Sequence, residues 1–247
     1  MLNNNSQKGI ILAGGAGTRL YPLTKVASKQ LLPIYNKPMI YYPLNVLVES
    51  GITDILIITT IEDQQKFISL LGNGDEWNVN ISYRTQDKPE GIAQTFLIAE
   101  DWINDSTTVL ILGDNLFFGE GLSSKIKRAI ENNVGATIFG FEVRDPERFG
   151  VIEFDSNDNV ISIEEKPKKP KSNWAVTGLY IFDEKVSKFT KLLKKSQRGE
   201  LEITDLNLIY LKNNNLNVEL LKGNYSWLDT GTFDALLEAS NYVKDNS

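Results

Sequence analysis

The sequence of 247 residues contains neither cysteine nor histidine. Without cysteine there is no disulfide framework, thiolate nucleophile, zinc knuckle or iron–sulfur ligation. Without histidine there is no Ser-His-Asp triad and no imidazole metal ligand. Any bound metal must therefore sit on oxygens. Hard cations such as Mg²⁺ accept carboxylate, carbonyl, water and phosphate oxygen, so a magnesium-dependent enzyme that handles phosphates is the natural expectation. Long apolar runs are also missing. No segment reaches the roughly 18 consecutive apolar residues of a membrane span, and Met1-Leu2-Asn3-Asn4-Asn5-Ser6-Gln7-Lys8 has no apolar signal core. A soluble cytoplasmic protein with no membrane partner is expected. Positive charge is in deficit, with 26 Lys+Arg against 32 Asp+Glu. That balance disfavours non-specific binding of nucleic acid, though a local basic pocket for a small anion remains open.

What is present is an ordinary globular composition, 41% hydrophobic and 23% charged. Through residue 143 short β-branched runs alternate with helical patterns, the mark of βαβ units and a largely parallel sheet. Strands are predicted at Gly9–Ala13, Asp54–Thr59, Val79–Tyr83, Thr107–Leu112 and Ala136–Val143, with helices near Met39–Ser50, Glu62–Leu71, Ile92–Ile103 and Leu122–Asn132. After Arg144 the pattern changes. Val151–Phe154 and Val160–Glu164 flank the turn formers Asp155–Asn159 and should pair antiparallel. A strand at Val176–Phe182, helices at Glu184–Lys194 and Glu202–Lys212, a strand at Asn217–Leu221 and a helix from Thr232 to Val243 complete the prediction. No long linker divides the chain, so residues 1–247 read as one α/β domain with a nucleotide-binding half (1–143) and a β-rich second half (144–247).

In an open parallel sheet, ligands gather outside the C-terminal ends of the strands. Two such ends stand out: Gly14-Gly15-Ala16-Gly17-Thr18-Arg19 after the first strand, and Gly113-Asp114-Asn115 after the strand ending at Leu112. Glycines bring backbone N–H groups against phosphate, and Arg19 and Lys29 supply positive charge. The loop matches neither the dinucleotide fingerprint, whose third glycine is missing, nor a Walker loop, which would end in Gly-Lys-Ser/Thr. A tight strand-to-helix turn is the plain alternative. Asp114 suits a metal carboxylate or an Asx turn. Asp229, Thr230 or Thr232 could cap the final helix with no ligand involved. By themselves, Glu164-Glu165-Lys166-Pro167 and Arg198-Gly199-Glu200-Leu201-Glu202 read as solvated charge.

These pieces occur together, in order, in a known family. Gly14-Gly15-Ala16-Gly17-Thr18-Arg19-Leu20, Ser28-Lys29-Gln30-Leu31-Leu32-Pro33, Lys37-Pro38-Met39-Ile40-Tyr41-Tyr42-Pro43, Leu112-Gly113-Asp114-Asn115, Asp145-Pro146-Glu147-Arg148-Phe149-Gly150-Val151, Glu164-Glu165-Lys166-Pro167, Gly199-Glu200-Leu201-Glu202-Ile203-Thr204-Asp205 and Trp227-Leu228-Asp229-Thr230-Gly231-Thr232 span nearly the whole chain. In them the sequence resembles the sugar-1-phosphate nucleotidylyltransferases, most closely the thymidylyltransferase branch.

The resemblance implies a Rossmann-like, mostly parallel sheet with helices on both faces and a β-rich sugar-binding insert. It implies that a deoxythymidylyl group passes from dTTP to glucose 1-phosphate with Mg²⁺ present, the same reaction with UTP being the nearest rival. A catalytically silent sensor and a dinucleotide-dependent oxidoreductase are the other rivals, disfavoured by the retained charged residues and by the missing glycine. By resemblance, Leu12, Gly14, Gly15, Gly17 and Thr18 wrap the nucleotide, Arg19 and Lys29 hold its phosphates, and Gln86 and Gly91 read the pyrimidine. Asp114 and Asp229 match the metal carboxylates, while Gly150, Glu165, Lys166 and Val176 match the sugar-phosphate side. Phe149 stands where the family more often has tyrosine, which removes a hydroxyl near the sugar. A homo-oligomer, tetramer or dimer, is the family expectation. Longer members continue past the helix ending near Val243 into a segment that builds a secondary nucleotide site; this sequence stops at Ser247, so feedback inhibition is not expected.

Overall fold

The computed structural model describes residues 6–15, 17–157 and 159–246. Its strands are β1 (Gln7–Ala13), β2 (Pro33–Ile34), β3 (Lys37–Pro38), β4 (Asp54–Thr59), β5 (Asn80–Thr85), β6 (Thr107–Leu112), β7 (Asn115–Phe118), β8 (Ala136–Glu142), β9 (Gly150–Phe154), β10 (Val160–Glu165), β11 (Trp174–Phe182), β12 (Leu216–Leu221) and β13 (Ser226–Asp229). The helices are α1 (Tyr41–Glu49), α2 (Gln64–Leu71), α3 (Thr95–Ile98), α4 (Glu100–Ile103), α5 (Leu122–Glu131), α6 (Val186–Thr190), α7 (Ile203–Lys212) and α8 (Phe233–Asp245).

Successive side chains on a strand point to opposite faces, so an unbroken apolar strand feeds two cores. Ile11 and Ala13 of β1 join Ile55 and Ile57 of β4 and Val109 and Ile111 of β6 under α1, α2 and α5. Their neighbours Ile10, Leu12, Leu56, Ile58 and Leu110 join Phe96, Ile103, Val186, Leu206 and Tyr210 on the other face, beneath α3, α4, α6 and α7. Both faces of the sheet are thus covered by helices. Each fully buried aliphatic side chain contributes roughly 1.5–3 kcal/mol, and this two-sided burial anchors the strands between the helical layers.

Among the described residues nine strands form the main sheet, along the path β10-β9-β11-β6-β1-β4-β5 with β8 and β12 beyond β11. The β1–β4, β1–β6, β4–β5 and β8–β12 pairs are parallel, whereas β11 runs antiparallel to β6 and β8. The long strand β11 changes partner along its length. Ala175 opposes Val151 of β9, and Leu179–Phe182 oppose β6, with a register shift against β8 between Val176 and Tyr180. That bulge is where the β-rich second half joins the parallel sheet.

Most predicted strands stand, with ends moved by a few residues. Two helices do not survive whole. The stretch Ile92–Ile103 is a 3₁₀ turn followed by α3 and α4, which are separated by Ala99 at φ −97° and ψ 5°. Glu184–Lys194 shrinks to α6. Two short pairings were not predicted: β2 with β3, and β7 with β13. The Asp155–Asn159 turn does join β9 to β10, because the Asp155 carboxylate accepts the backbone N–H of Asn157 at 2.8 Å and of Asn159 at 2.9 Å. Asp158 in that turn, like Ala16 of the glycine loop, lies outside the described residues.

Candidate active site

Four parallel strands end side by side, and three of them carry residues singled out above. Leu12 of β1 pairs with Leu112 of β6, Ala13 pairs with Thr59 of β4, and Thr59 with Thr85 of β5. The residues just beyond, Gly14, Asp114 and Gln86, therefore share one edge. Gly14 lies so close to the Gln86 side chain that a Cβ there would collide with its Oε1. Gln86 is buried, and its Nε2 donates to Gln94 Oε1 at 2.6 Å, which in turn accepts the Glu90 N–H at 3.1 Å. Gly91 follows at φ 102°, pressed against the Leu201 backbone where no Cβ would fit; Leu201 N–H donates to Glu90 O at 2.7 Å. The loop predicted to read a pyrimidine is thus fixed to the start of the segment leading into α7.

Gly17 adopts φ 55° and precedes the 3₁₀ turn Thr18–Leu20, with Thr24 Oγ1 donating to its carbonyl at 2.8 Å. That turn sends the Arg19 guanidinium to the opposite end of the chain, where Nη2 lies 2.9 Å from the position a Cβ would take on Gly231. Lys29 sits in a second 3₁₀ turn, anchored by Ile40 N–H to Gln30 O at 2.9 Å and Met39 N–H to Leu32 O at 2.9 Å. It is buried, and its ammonium donates to Asp114 Oδ2.

Asp229 reaches the same place through the unpredicted β7–β13 pair, in which it opposes Asn115. Thr230 reinforces the join, its N–H and Oγ1 donating to the Asp114 carbonyl at 3.2 and 2.8 Å. The three candidate caps of the last helix separate here. Thr232 caps α8, accepting the Ala235 N–H at 3.2 Å; Thr230 bonds to Asp114; Asp229 is left to face charges. Burial raises the Asp229 carboxyl, and the negative charge of Asp114 raises it further against the opposing pull of Lys29, Arg19 and Arg148. Burial also pushes Asp114 upward, but the charge and hydrogen bond of Lys29, with the Asn115 amide, bring it below the ordinary carboxylate value. Two neighbouring carboxylates thus share one place with the cations Lys29, Arg19 and Arg148.

From this point a cleft of about 430 Å³ runs toward β9, β10 and the start of α7. Gly150, Glu165, Lys166 and Val176 all line it. A Cβ on Gly150 would lie 3.2 Å from Thr204 Oγ1, 3.6 Å from Glu165 Oε2 and 3.7 Å from Val176 Cγ2, so these residues form one wall. Glu165 accepts from Thr204 Oγ1 at 2.6 Å and lies 3.5 Å from Lys166 Nζ. Its position between cations and a hydroxyl replaces the solvated-cluster reading.

Residue-by-residue sequence reasoning gave no site role to several cleft residues, and read the segment of one of them, Arg198, as solvated charge. Arg198 places Nη2 at 2.7 Å from Glu202, 3.3 Å from Glu200 and 3.4 Å from Glu165. Arg148 lies 3.8 Å from Asp229 and over the Phe149 ring, whose other contact is Trp227 at a centroid distance of 5.1 Å. Asn115 is buried behind Asp114. All sit inside the quoted motifs, but only the fold shows which side chains turn inward.

No helix among the described residues is long and apolar enough to cross a membrane. Residues 8–246 match the nucleotidyl transferase family. A glucose-1-phosphate thymidylyltransferase of Xanthomonas campestris pv. campestris is 57% identical over 238 residues, covering 96% of this chain and 81% of its own. One from Neisseria gonorrhoeae is 55% identical over 237 residues, covering 96% of this chain and 82% of its own. Among solved structures, a candidate glucose-1-phosphate thymidylyltransferase from Bacillus anthracis in complex with sucrose superposes with a TM-score of 0.90 at 46% identity, covering 97% of this chain and 96% of that one. A UDP-glucose pyrophosphorylase complexed with UDP-glucose shares the fold at 24% identity and a TM-score of 0.86, covering 98% of this chain and 100% of that one. The chain accordingly belongs to the nucleotidyl transferase family, on the branch of the glucose-1-phosphate thymidylyltransferases.

Proposed function

We propose that this chain transfers a deoxythymidylyl group from dTTP to glucose 1-phosphate, giving dTDP-glucose and pyrophosphate. The observation that carries the reading is the meeting of Asp114, Asp229, Arg19 and Lys29 at the neck of a cleft whose far wall holds Glu165 and Lys166. A phosphate oxygen of the sugar forms the new bond to the α-phosphorus as the bond to pyrophosphate breaks. The nucleophile needs no base, since a phosphate monoester has its second pKa near about 6 and is mostly dianionic at pH 7. That fits a chain without histidine. The task left to the protein is to hold two anions in line.

The donors suit Mg²⁺. Among the described residues no group of three or more acidic side chains could cage an ion, so two carboxylates would hold it and leave the other positions to phosphate and water oxygen, as Mg²⁺ prefers. Bound there, the ion would neutralise phosphate charge and polarise phosphorus. Lys29, paired with Asp114 here, would pass to the leaving pyrophosphate together with Arg19. Gln86, steadied by Gln94, would read the pyrimidine edge, and Glu165 and Lys166 would take the sugar hydroxyls and phosphate. In this reading residues 1–143 chiefly hold the nucleotide and 144–247 the sugar phosphate. We infer a homo-oligomer, tetramer or dimer, and a cytoplasmic location from the likeness to this family branch; light scattering tests the first.

Pyrophosphate release measured with dTTP or UTP against glucose 1-phosphate and other hexose 1-phosphates, with and without Mg²⁺, tests the reading. Release requiring dTTP, glucose 1-phosphate and Mg²⁺ is expected. Release with no pair would overturn it in favour of a silent sensor.

A further inference from the structure

Asn115 has no role in the reaction as described, yet its side chain joins three parts of the site. It is 2% exposed. Its Oδ1 accepts the Trp227 indole Nε1–H at 2.7 Å and the Gly178 backbone N–H at 3.0 Å, and its Nδ2 donates to Asp114 Oδ1 at 3.0 Å. Two donors at one end of the amide fix its orientation, so an N–H must face Asp114. The approach to Gly178 is close enough that a Cβ there would collide with Asn115 Oδ1, which places glycine in the bulge of β11. A buried amide is tolerated when its donors and acceptors are paired, and here one bond goes to a charged group, where hydrogen bonds are strongest.

We propose that Asn115 is a positioning residue that sets the plane of the Asp114 carboxylate and ties it to the sugar wall. The inference rests on the reading of Asp114 as a metal carboxylate. Asn115 occupies Oδ1 of Asp114, so Oδ2 is the oxygen that Lys29 holds and that a cation can claim. The same amide grips Gly178, two residues from Val176, and Trp227, whose ring packs on Phe149 at the cleft. A sugar phosphate pressing on that wall therefore meets the same rigid unit that aims the carboxylate. Hydrogen-bond partners behind a ligating side chain are commonly worth about 10- to 100-fold in metal affinity or activity.

The experiment compares Asn115→Ala, Asn115→Asp and Trp227→Phe with the wild-type enzyme. Asn115→Asp keeps acceptors for Trp227 and Gly178 but has no amide donor for Asp114. Three quantities are read: the Mg²⁺ concentration at half-maximal rate, the binding of Mn²⁺ to protein holding dTDP-glucose by water proton relaxation, and the melting temperature. For both Asn115 variants the half-saturating Mg²⁺ should rise about tenfold, Mn²⁺ binding should weaken in parallel, and the KM for dTTP should stay within about threefold. Trp227→Phe, which removes one anchor of the amide, should shift both metal readouts the same way by a smaller factor, and it carries the test if the Asn115 variants do not fold. Metal readouts within twofold of wild type in folded variants, with only the melting temperature lowered, would overturn the proposal. A wild-type protein that neither binds Mn²⁺ nor releases pyrophosphate would instead overturn the functional reading beneath it.

Discussion

The ammonium of Lys29 rests on the carboxylate of Asp114, a residue 85 positions further along the chain. Lys29 is buried in the 3₁₀ turn before β2, and Asp114 leaves the end of β6. The site is thus internally paired in the protein by itself, and in the proposed reaction a cation held by Asp114 would release Lys29 toward phosphate. One side chain would then serve both the stability of the protein and the stabilisation of negative charge during reaction.

Lys29→Met should separate the two effects. Loss of a charge-stabilising donor should lower turnover about a hundredfold, on the order of 3 kcal/mol, in the pyrophosphate assay. Breaking an enclosed ion pair should also cost roughly 3 kcal/mol of stability near pH 7. In the wild type the Asp114 carboxyl lies below its ordinary value, so its contribution is present above the unfolded value, about 3.9, and is lost as pH falls through the lower folded value. Without Lys29, burial raises that carboxyl, which penalises the variant at neutral pH and relieves it on acidification. The melting-temperature gap, measured without metal, should be widest near neutrality, narrow as the variant's raised carboxyl protonates, and close only below about pH 4 as the wild-type Asp114 protonates.

Asp229→Asn should abolish metal-dependent turnover without unfolding the protein. Burial and the charge of Asp114 raise this carboxyl, so its ionisation at neutral pH opposes folding, and the penalty fades as pH falls through the raised value. The metal-free variant should therefore melt at or above the wild-type temperature at pH 7. Thr232→Ala should do the opposite, losing about 1 kcal/mol with the helix cap and keeping its turnover. A fall in melting temperature for Asp229→Asn with full activity would make this residue a structural one and remove it from the metal site.

Lys166→Ala should mainly weaken use of the sugar phosphate. Its ammonium lies at the cleft wall beside Glu165, and loss of a charged contact of about 1.5–3 kcal/mol should raise the KM for glucose 1-phosphate about tenfold or more. The KM for dTTP should move little. Steady-state saturation curves for each substrate decide it, and an unchanged curve for the sugar phosphate would remove Lys166 from the site.

Gln94→Leu should loosen the nucleotide without touching it. Gln94 accepts both the Gln86 amide and the Glu90 N–H, and one hydrogen bond of about 1 kcal/mol should raise the KM for dTTP about fivefold. The ratio of rates with dTTP and UTP should hold, because the features that Gln86 would read in the proposed function are common to thymine and uracil. Competition between the two nucleotides measures that ratio.

The sheet was legible because strand periodicity is local: β4 and β6 have the bounds that their apolar runs predict. Helix ends were less so. Nothing between Ile92 and Ile103 announces the break at Ala99, which comes from packing α3 and α4 separately under the sheet. The β7–β13 pair escaped notice because each strand has four residues, too few to show a period, and its partner lies across the chain.

Composition alone decided that a metal here must sit on oxygen, and the alternation of strands with helices pointed to the ends of β1 and β6 as the places where a ligand should be sought. Whether Asp229 caps a helix or faces Asp114, and whether Glu165 lies in water or in a wall, was left to the tertiary structure. The physical reason is range. A strand or turn is set by neighbours a few residues away, whereas the charge on a carboxylate is governed by whatever folding brings within a few ångströms of it, from anywhere in the chain.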